Sequence, residues 1–319
     1  MTATVSLKDI QNARLRIAPC IRRTPLTGSA ALSERLRTNA YVKLELLQKT
    51  GSFKIRGVFN KVLSLKPEDR NQGIVAISGG NHAQAVAYVA RALHTRAFIL
   101  MPESTPRNYV EATRGYGAEI KFAATAAAAF AEVAELEGQG WVFIHPFDDP
   151  LVMAGQGTVG LEILEDVPQV TDIIVSIGGG GFAGGVATVV KSLKPAVRIW
   201  GVETEGADCM AKSLAAGKVE TLGAITSIAR SLGAAAPSEQ TLALAQQFLE
   251  KVIVVPDSEA ASALLFLLER LKVLAEPAAA CTLAAADRLR EEFAPERHVV
   301  LVLSGGNFAM EDLAKLQTA

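Results

Sequence analysis

Cysteine and histidine are scarce in this chain of 319 residues. The cysteines are odd in number and far apart, which excludes a disulfide framework and suits a reducing compartment. The histidines are scattered as well, so none has the spacing of zinc ligands, and a metal is not expected as the central catalyst. The residues concerned are Cys20, Cys209, Cys281, His82, His94, His145 and His298.

Long apolar runs and an excess of one charge are also absent. No stretch approaches the roughly 20 apolar residues that span a bilayer, and the N-terminus has no continuous apolar segment followed by a cleavage site. The 32 basic and 33 acidic side chains balance and do not gather in one block, which argues against a nucleic-acid or anionic-membrane surface. We therefore expect a soluble, cytoplasmic protein that acts on a small molecule.

What the chain does contain is an alternation of short apolar runs with longer helical patterns. The runs AYVKLELL, GIVAIS, DIIVSIG and HVVLVLSGG are each followed by a helix-like segment. Val- and Ile-rich runs that alternate with amphipathic segments are typical of a mostly parallel sheet covered by helices. The sequence therefore predicts an α/β fold, and no linker composition marks a domain boundary.

The most unusual loop lies in DIIVSIGGGGFAGG, where Gly178, Gly179, Gly180 and Gly181 separate a strand from a helix. Bare backbone amides at a helix N-terminus suit an anion, whereas a tight turn needs only one or two glycines. The pattern Gly179-x-Gly181-x-x-Gly184 also satisfies the dinucleotide fingerprint, with Glu203 near the place of a ribose-binding acid. An NAD-dependent oxidoreductase is therefore a rival interpretation.

Three further loops follow apolar runs and carry polar groups. Ser78 to Asn81 offer a hydroxyl, amides and a side-chain amide that suit a carboxylate or an aromatic hydroxyl, although Asn81 could serve only as an N-cap. Ser304 ends a buried strand and could either face the same crevice or cap backbone. Lys54, in QKTGSFKIRG, is by itself more typical of a surface lysine, and His82 of a structural histidine.

Five motifs occur in a fixed order between about Arg23 and Asn307: GSFKIRG, SGGNHAQAVA, GGGGFAGG, EPAAA and LSGGN. Together they resemble the fold-type II pyridoxal-phosphate family, in particular threonine/serine dehydratases and serine racemase. The resemblance implies a large and a small open, twisted α/β domain with pyridoxal 5′-phosphate between them, and a homodimer. Residues 1–72 and 148–319 would form the large domain, and residues 73–147 the small, mobile domain.

The resemblance also implies a role for each loop. Lys54 would hold the cofactor as a Schiff base and act as general base, with Phe53 packed beside the cofactor. Asn81 would bond the 3′-hydroxyl, the loop from Gly178 to Gly181 would hold the phosphate, and Ser304 would face the pyridine nitrogen. The substrate carboxylate would lie against Ser78, Gly79, Gly80, Asn81 and His82.

The reaction that these roles imply is β-elimination from a β-hydroxy amino acid, which yields a 2-oxo acid and ammonia. Racemases of the family are expected to carry a serine where this chain has Gly79, so dehydration is preferred over racemisation. Relatives that bind a divalent cation use a glutamate, a backbone carbonyl and an aspartate. Glu203 and Ala207 match the first two, but Cys209 stands at the third place, with Asp208 beside it. A divalent or monovalent cation is therefore an alternative that the sequence leaves open rather than a prediction.

Three residues near the predicted site depart from the family pattern. Phe147 replaces an asparagine, and Arg230 and Ser231 replace an acid and a glycine. These changes favour a bulkier or apolar β-substituent than that of serine, such as the aryl group of phenylserine. Within the family, β-replacement of the cysteine synthase type is the nearest alternative, and a cofactor-binding regulator without turnover is another.

Overall fold

The computed structural model describes residues 5–316 of the chain. Their β-strands are β1 (Leu26–Gly28), β2 (Asn39–Leu44), β3 (Ile74–Ile77), β4 (Ala97–Pro102), β5 (Glu119–Ala123), β6 (Val142–Phe143), β7 (Asp172–Ser176), β8 (Arg198–Thr204), β9 (Lys251–Val255) and β10 (His298–Leu303). They form a larger sheet in the order β1-β2-β10-β7-β8-β9 and a smaller one in the order β5-β4-β3-β6. Apart from the antiparallel pair β1 and β2, neighbouring strands are parallel, which confirms the α/β prediction.

Helices cover both sheets. Within the same described residues they are α1 (Leu7–Ile17), α2 (Ala30–Leu36), α3 (Lys54–Ser64), α4 (Pro67–Gln72), α5 (Asn81–Ala92), α6 (Arg107–Gly115), α7 (Ala126–Gly138), α8 (Pro150–Asp166), α9 (Gly181–Leu193), α10 (Cys209–Ala216), α11 (Glu239–Phe248), α12 (Asp257–Phe266), α13 (Pro277–Arg288) and α14 (Met310–Leu316). The alanine-rich tract is the helix α7 that its propensity predicts. Thr125 begins it by accepting a hydrogen bond from the Ala128 amide.

The helix that begins at Lys54 is held by close packing against α8. A Cβ atom at Gly57 would lie 2.7 Å from the Val152 carbonyl oxygen, and one at Gly155 would lie 2.5 Å from the Arg56 carbonyl oxygen. Larger residues at either position would push the two backbones apart. The two glycines therefore fix the position of α3, and with it the position of Lys54.

The smaller sheet uses only strands between residues 74 and 143, inside the segment 73–147 that we predict as the small domain. Helix α3 lies outside that segment but shares a hydrophobic core with it. Ile55, Val58 and Phe59 pack in one buried cluster with residues of α5 and the smaller sheet. The boundaries of the two domains remain a prediction.

Strand order brings several carboxyl ends of the strands together. In the larger sheet Leu303 of β10 pairs with Leu44 of β2, and β10 lies between β2 and β7. The loops after these three strands therefore open on the same side of the sheet, where ligands of α/β proteins bind. Among residues 5–316, no helix is both long and apolar enough to cross a membrane.

Candidate active site

The predicted loops line one cavity of about 750 Å³, a volume typical of small-molecule sites. Residues from the loops after β2, β3, β7 and β10 all contribute to its wall. The structure thus brings together the site residues that the sequence predicts, except Glu203 and Ala207. The lining residues among them are Phe53, Lys54, Ser78, Gly79, Gly80, Asn81, His82, Gly178, Gly179, Gly180, Gly181 and Ser304.

Lys54 is the first residue of α3 and points its amine into this cavity. A bridge between Ser52 and Gly305 and a hydrogen bond from the Phe53 amide to the Ser304 carbonyl (3.1 Å) tie the preceding chain to the end of β10. The Lys54 Nζ atom donates to the Pro146 carbonyl oxygen at 2.7 Å. Burial lowers the pKa of Lys54 to about 8, although the negative charge of Glu276 opposes this shift. A usable fraction of the amine is therefore neutral near neutral pH.

A buried ionic cluster two residues further along fixes the first turn of α3. The Arg56 guanidinium donates to both carboxylate oxygens of Glu45 at 2.8 Å and to Glu162 Oε1 at 2.7 Å. Lys43 Nζ lies 2.5 Å from Glu162 Oε2. Burial alone would raise the pKa of Glu162, but Arg56 and Lys43 outweigh it and lower this pKa. Two carboxylates and two cations thus compensate each other completely.

The glycine loop connects β7 to the N-terminus of α9. Gly180 has φ +91°, and no side chain caps the helix, so the first amides of α9 remain available to an anion. Phe147 also requires glycine here, because a Cβ atom at Gly179 would lie 2.3 Å from its ring and one at Gly181 would lie 2.3 Å from its carbonyl oxygen. The loop is therefore both a candidate phosphate site and a packing surface for Phe147.

Asn81 begins α5 but is not its N-cap, which corrects the capping alternative considered from the sequence. Gly80 is the N-cap residue. The Asn81 Nδ2 atom donates to Glu276 Oε1 and Oε2 at 2.9 and 3.0 Å, and its Oδ1 atom accepts from Asn307 Nδ2 at 2.7 Å. These contacts direct the amide group toward the cavity rather than toward the helix backbone.

His82 lies in the wall of the cavity as a neutral ring. Burial, together with the Lys54 charge, lowers its pKa to about 3. Its Nε2 atom lies 2.7 Å from the Ile144 carbonyl oxygen, so this nitrogen carries the proton and donates. Its Nδ1 atom is buried without a hydrogen-bond partner among the described residues. His82 therefore offers an acceptor to a ligand but no positive charge to a carboxylate.

Ser304 is 3% exposed, and its Oγ atom lies 3.3 Å from Ser176 Oγ at the end of β7. Its carbonyl, not its hydroxyl, makes the backbone contact to Phe53. Phe53 in turn stacks on Phe182 of α9, with ring centroids 3.9 Å apart. The hydroxyl is thus a neutral group at the meeting point of two strands and the aromatic wall.

Glu276 is a cavity residue for which the sequence predicts no individual role. It is 3% exposed and lies just before Pro277, the first residue of α13. Burial raises its pKa to about 7, while hydrogen bonds from Asn81 and Ser231 and the Lys54 charge lower it. The motif EPAAA contains this residue, but its position 195 residues from Asn81 hides the contact from any local pattern.

The residues that depart from the family pattern lie around the same cavity. The Phe147 ring packs edge-on against His145, with centroids 4.7 Å apart. Ser231 accepts a hydrogen bond from Asn81 Nδ2 at 3.4 Å, while Arg230 is exposed at the cavity wall. All three departures are therefore placed where they would affect a ligand.

Glu203 lies outside the cavity, in a buried position beside the start of α10. It is fully buried, and its carboxylate accepts hydrogen bonds from the Met210 and Ala211 amides at 2.9 and 2.7 Å. The nearby Cys209 Sγ atom lies 3.9 Å from Glu203 Oε1. A ribose could not reach this carboxylate. Within residues 5–316, no group of three His, Cys, Asp or Glu side chains could hold a metal ion, and a site that also uses the Ala207 carbonyl remains the alternative left open by the sequence.

The cavity does fit pyridoxal phosphate. It combines an amine of lowered pKa, uncapped helix amides at a glycine loop, a neutral hydroxyl and a directed side-chain amide. A phosphate would satisfy the free amides of α9, and an aromatic ring would find apolar walls in Phe53 and Phe182. Lys54, Asn81, Ser304 and the loop Gly178–Gly181 are the groups that would hold it.

Comparisons with known proteins agree with this geometry. A family model described as pyridoxal-phosphate dependent enzyme matches residues 17–305. The chain is 41% identical over 308 residues to the L-threonine ammonia-lyase of Thermotoga maritima, an alignment that covers 95% of this chain and 76% of that one. Among solved structures, maize serine racemase superimposes with a TM-score of 0.94 at 36% identity, over 99% of this chain and 98% of its own. The serine racemase of Dictyostelium discoideum has a TM-score of 0.90 at 35% identity, over 97% of this chain and 100% of its own.

Proposed function

The chain belongs to the family of pyridoxal-phosphate dependent enzymes, and we propose that within it the protein converts a β-hydroxy amino acid to a 2-oxo acid and ammonia, by loss of the β-hydroxyl group as water and uptake of water when ammonia is released. Relatives at about 40% identity are threonine ammonia-lyases. The single observation that carries the proposal is Lys54, a buried amine of pKa about 8, in one cavity with the glycine loop. The NAD-dependent alternative is not supported, because Glu203 is engaged by backbone amides.

Different residues of the chain have different roles in such a reaction. When bound, pyridoxal phosphate supplies the electron withdrawal that makes the Cα proton of an amino acid acidic. The neutral amine of Lys54 takes that proton as general base. The positive end of the α5 dipole and the amides between Ser78 and Asn81 hold the substrate carboxylate. Phe53 and Phe182 form a wall that excludes water from the reacting atoms.

Ser304 supports elimination over amino-group transfer. A serine hydroxyl stays neutral at physiological pH, so it cannot force a proton onto a pyridine nitrogen as a carboxylate can. Its Oγ atom has only Ser176 as a hydrogen-bond partner among the described side chains. Charge that develops at Cα is then less delocalised, and rapid loss of the β-hydroxyl group is favoured.

Gly79 supports elimination over racemisation. A Cβ atom at Gly79 would lie 2.5 Å from Thr105 Oγ1 and 3.3 Å from Pro102 Cδ. The serine expected of racemases at this position would therefore require Thr105 to move. The high structural similarity to maize serine racemase keeps racemisation as the second candidate activity. Measuring D-serine and pyruvate from the same incubation with L-serine separates the two.

Our proposal for the β-substituent is supported by one apolar part of the cavity wall. Ile225, Ile228 and Leu232 line this wall, and Arg230 lies among them. We infer that the wall accepts an apolar or aryl β-substituent, as in phenylserine, in addition to the methyl group of threonine. An aryl ring would bury apolar area and could stack on the guanidinium of Arg230.

The test is ammonia release from a panel of β-hydroxy amino acids: serine, threonine, phenylserine and β-hydroxyaspartate. We expect a yellow protein whose cofactor is fixed on Lys54 by borohydride, and turnover of phenylserine at least comparable to that of threonine. Turnover of threonine or serine far above that of phenylserine would contradict the aryl-substrate proposal alone. A yellow protein that releases no 2-oxo acid would favour a regulator, and incorporation of added sulfide would favour β-replacement.

The cellular compartment and the oligomeric state of the enzyme are also proposals. Three free cysteines, two of them buried, suit a reducing compartment, which supports the cytoplasm. A homodimer remains a prediction by analogy with the family, and sedimentation of the purified full chain measures it. The amino acid substrate requires no nucleic-acid or membrane surface.

A further inference from the structure

Glu276 differs from the other buried carboxyl groups of the described chain. Glu45 and Glu162 each contact a buried arginine or lysine, and Glu203 is capped by two backbone amides. Glu276 makes no ion pair within 4.0 Å to a described residue, and its side-chain partners are an amide and a hydroxyl. Burial of a carboxylate without a paired cation is costly, and such groups are concentrated in functional sites.

The position of Glu276 is well determined. Its amide donates to the Gly305 carbonyl oxygen at 3.0 Å, and Pro277 begins α13 immediately after it. A Cβ atom at Gly305 would lie 2.7 Å from Glu276 Oε1, so the glycine leaves room for the carboxylate beside the end of β10. Asn81 closes the other side with its two contacts.

Glu276 is the acidic residue that shares the cavity with Lys54. Among the described residues that line the cavity, Glu276 is the carboxyl group, and the cations are Lys54 and Arg230. Glu276 raises the pKa of Lys54, and Lys54 lowers that of Glu276, so each stabilises the charged form of the other. The neighbouring rings of His82 and His145 both have lowered pKa values because of burial, so neither adds a cation beside Lys54 at neutral pH.

Ser231 links this arrangement to the departures from the family pattern. Its hydroxyl accepts from Asn81 Nδ2 at 3.4 Å, and its hydrogen bond to Glu276 lowers the pKa of that carboxyl. A glycine at position 231 could make neither contact. The Asn81 Nδ2 atom thus contacts both Glu276 and Ser231 at the edge of the cavity.

We propose that Glu276 is a positioning residue of the reaction, which acts as the counter-charge of Lys54 and holds the Asn81 amide toward the cavity. This inference rests on the proposed function, since it assigns the carboxyl a part in the same site. The anion favours the ammonium form of Lys54 whenever this amine is free, as it is after taking up the Cα proton of a substrate. It also anchors Asn81 so that this amide cannot turn back onto the helix.

The experiment measures the protonation of Lys54 directly. The full chain, freed of cofactor, is labelled with trace acetic anhydride over a range of pH, and acetylation of the Lys54 peptide is quantified by mass spectrometry. In Glu276→Gln we expect the midpoint for Lys54 to fall by about one pH unit, because the charge that favours the ammonium form is gone. In Glu276→Asp the charge remains, so the midpoint stays within a few tenths of a unit of the parent, an expectation from the same charge argument.

Two further variants test whether the shift in the Lys54 midpoint depends on the charge of Glu276. Ser231→Ala removes one hydrogen bond to the carboxylate and raises the pKa of Glu276, so its Lys54 midpoint lies between those of the parent and Glu276→Gln. Glu203→Gln changes a carboxyl that is equally buried but does not line the cavity, and it leaves the midpoint unchanged. A Glu276→Gln midpoint equal to that of the parent, in a protein with a parental circular dichroism spectrum, overturns the proposal.

A second arm uses the holoenzyme. The rising limb of kcat against pH, measured by ammonia release at saturating substrate, shifts to lower pH in Glu276→Gln in parallel with the labelling midpoint, because the Lys54 amine is free in the substrate complex. A limb that does not move while the labelling midpoint does would contradict the link between Glu276 and catalysis. If the parent releases no ammonia from any substrate while the labelling shift is present, the proposed function fails and the counter-charge role stands.

Discussion

Two groups of buried charge lie at the start of α3, two residues apart in sequence, and they are built in opposite ways. Arg56 contacts two carboxylates directly and shares one of them with Lys43, so every charge has a partner of opposite sign. Lys54 donates to the Pro146 carbonyl oxygen and feels the charge of Glu276 without an ion-pair contact to it. The first group is compensated and the second is not.

The two groups of charge therefore have different roles: Arg56 is structural, whereas Lys54 can take part in a reaction. Compensation keeps Arg56 permanently charged, since the paired carboxylates outweigh burial and raise its pKa. Because Lys54 has no ion-pair contact among the described residues, burial lowers its pKa to about 8, which is close to physiological pH. A permanently charged residue can hold elements together, whereas an amine that gains and loses a proton can act on a substrate.

The largest expected effect comes from Lys54→Ala. This variant should lose at least about four orders of magnitude in ammonia release and should not retain the cofactor colour, because it removes the amine that acts as base and anchor. Its fold should persist, since it deletes a charge that burial disfavours. Activity, absorbance and thermal melting measured on one preparation check this. A variant that unfolds would show that Lys54, like Arg56, is structural.

The second expected effect concerns stability. Arg56→Met leaves Glu45 and Glu162 buried without their main cation, and the free energy of unfolding should fall by about 3–5 kcal/mol. Urea denaturation followed by circular dichroism measures it. The matched variant Arg23→Met breaks half-exposed contacts to Glu165 and Asp166 and should cost less than about 1 kcal/mol. Equal losses in the two variants would refute the distinction between compensated buried charge and surface charge.

The third prediction concerns the glycine loop, which lines the same cavity as Lys54. Gly179→Ala places a Cβ atom 2.3 Å from the Phe147 ring, so either the ring or the loop must move. We expect the Kd for pyridoxal phosphate to rise by about tenfold to a hundredfold, on the scale of overpacking costs. Fluorescence titration of the full chain gives this Kd. The double variant Gly179→Ala with Phe147→Ala should recover most of the loss, and no recovery would mean that the loop amides themselves are displaced.

The smallest effect is expected for metal removal. Glu203 is a third kind of buried carboxyl, satisfied by the Met210 and Ala211 amides rather than by a cation or the cavity. Dialysis against a chelator of divalent cations should therefore change kcat by less than about twofold, because burial raises the pKa of Glu203 to about 8 and leaves this carboxyl largely protonated at neutral pH. Ammonia release before and after readdition of Mg²⁺ checks the point. A large, reversible loss would place a cation at Glu203 after all.

Much of the site could be predicted because its signals are local. Each loop carries its own chemistry, and each follows an apolar run that ends a strand, so the rule on strand ends places the loops together. The role of Asn81 was less well predicted, since a capping asparagine and a ligand-facing asparagine look alike in sequence. Gly80 caps the helix instead, and this choice depends on Glu276 and Asn307, which lie far along the chain.

The sequence by itself determined the alternation of strands and helices and the glycine loop, because periodicity and residue type act over a few neighbouring positions. Lys54 was identified only through the family resemblance of five ordered motifs, since the local pattern alone favours a surface lysine. Only the tertiary structure decided which charges meet. Asn81 and Phe147 follow strands of the smaller sheet, and the packing of its elements against those of the larger sheet brings Asn81 to Glu276 and Phe147 to the glycine loop. Contacts between residues so distant in sequence depend on the packing of whole elements, and local patterns do not encode that packing.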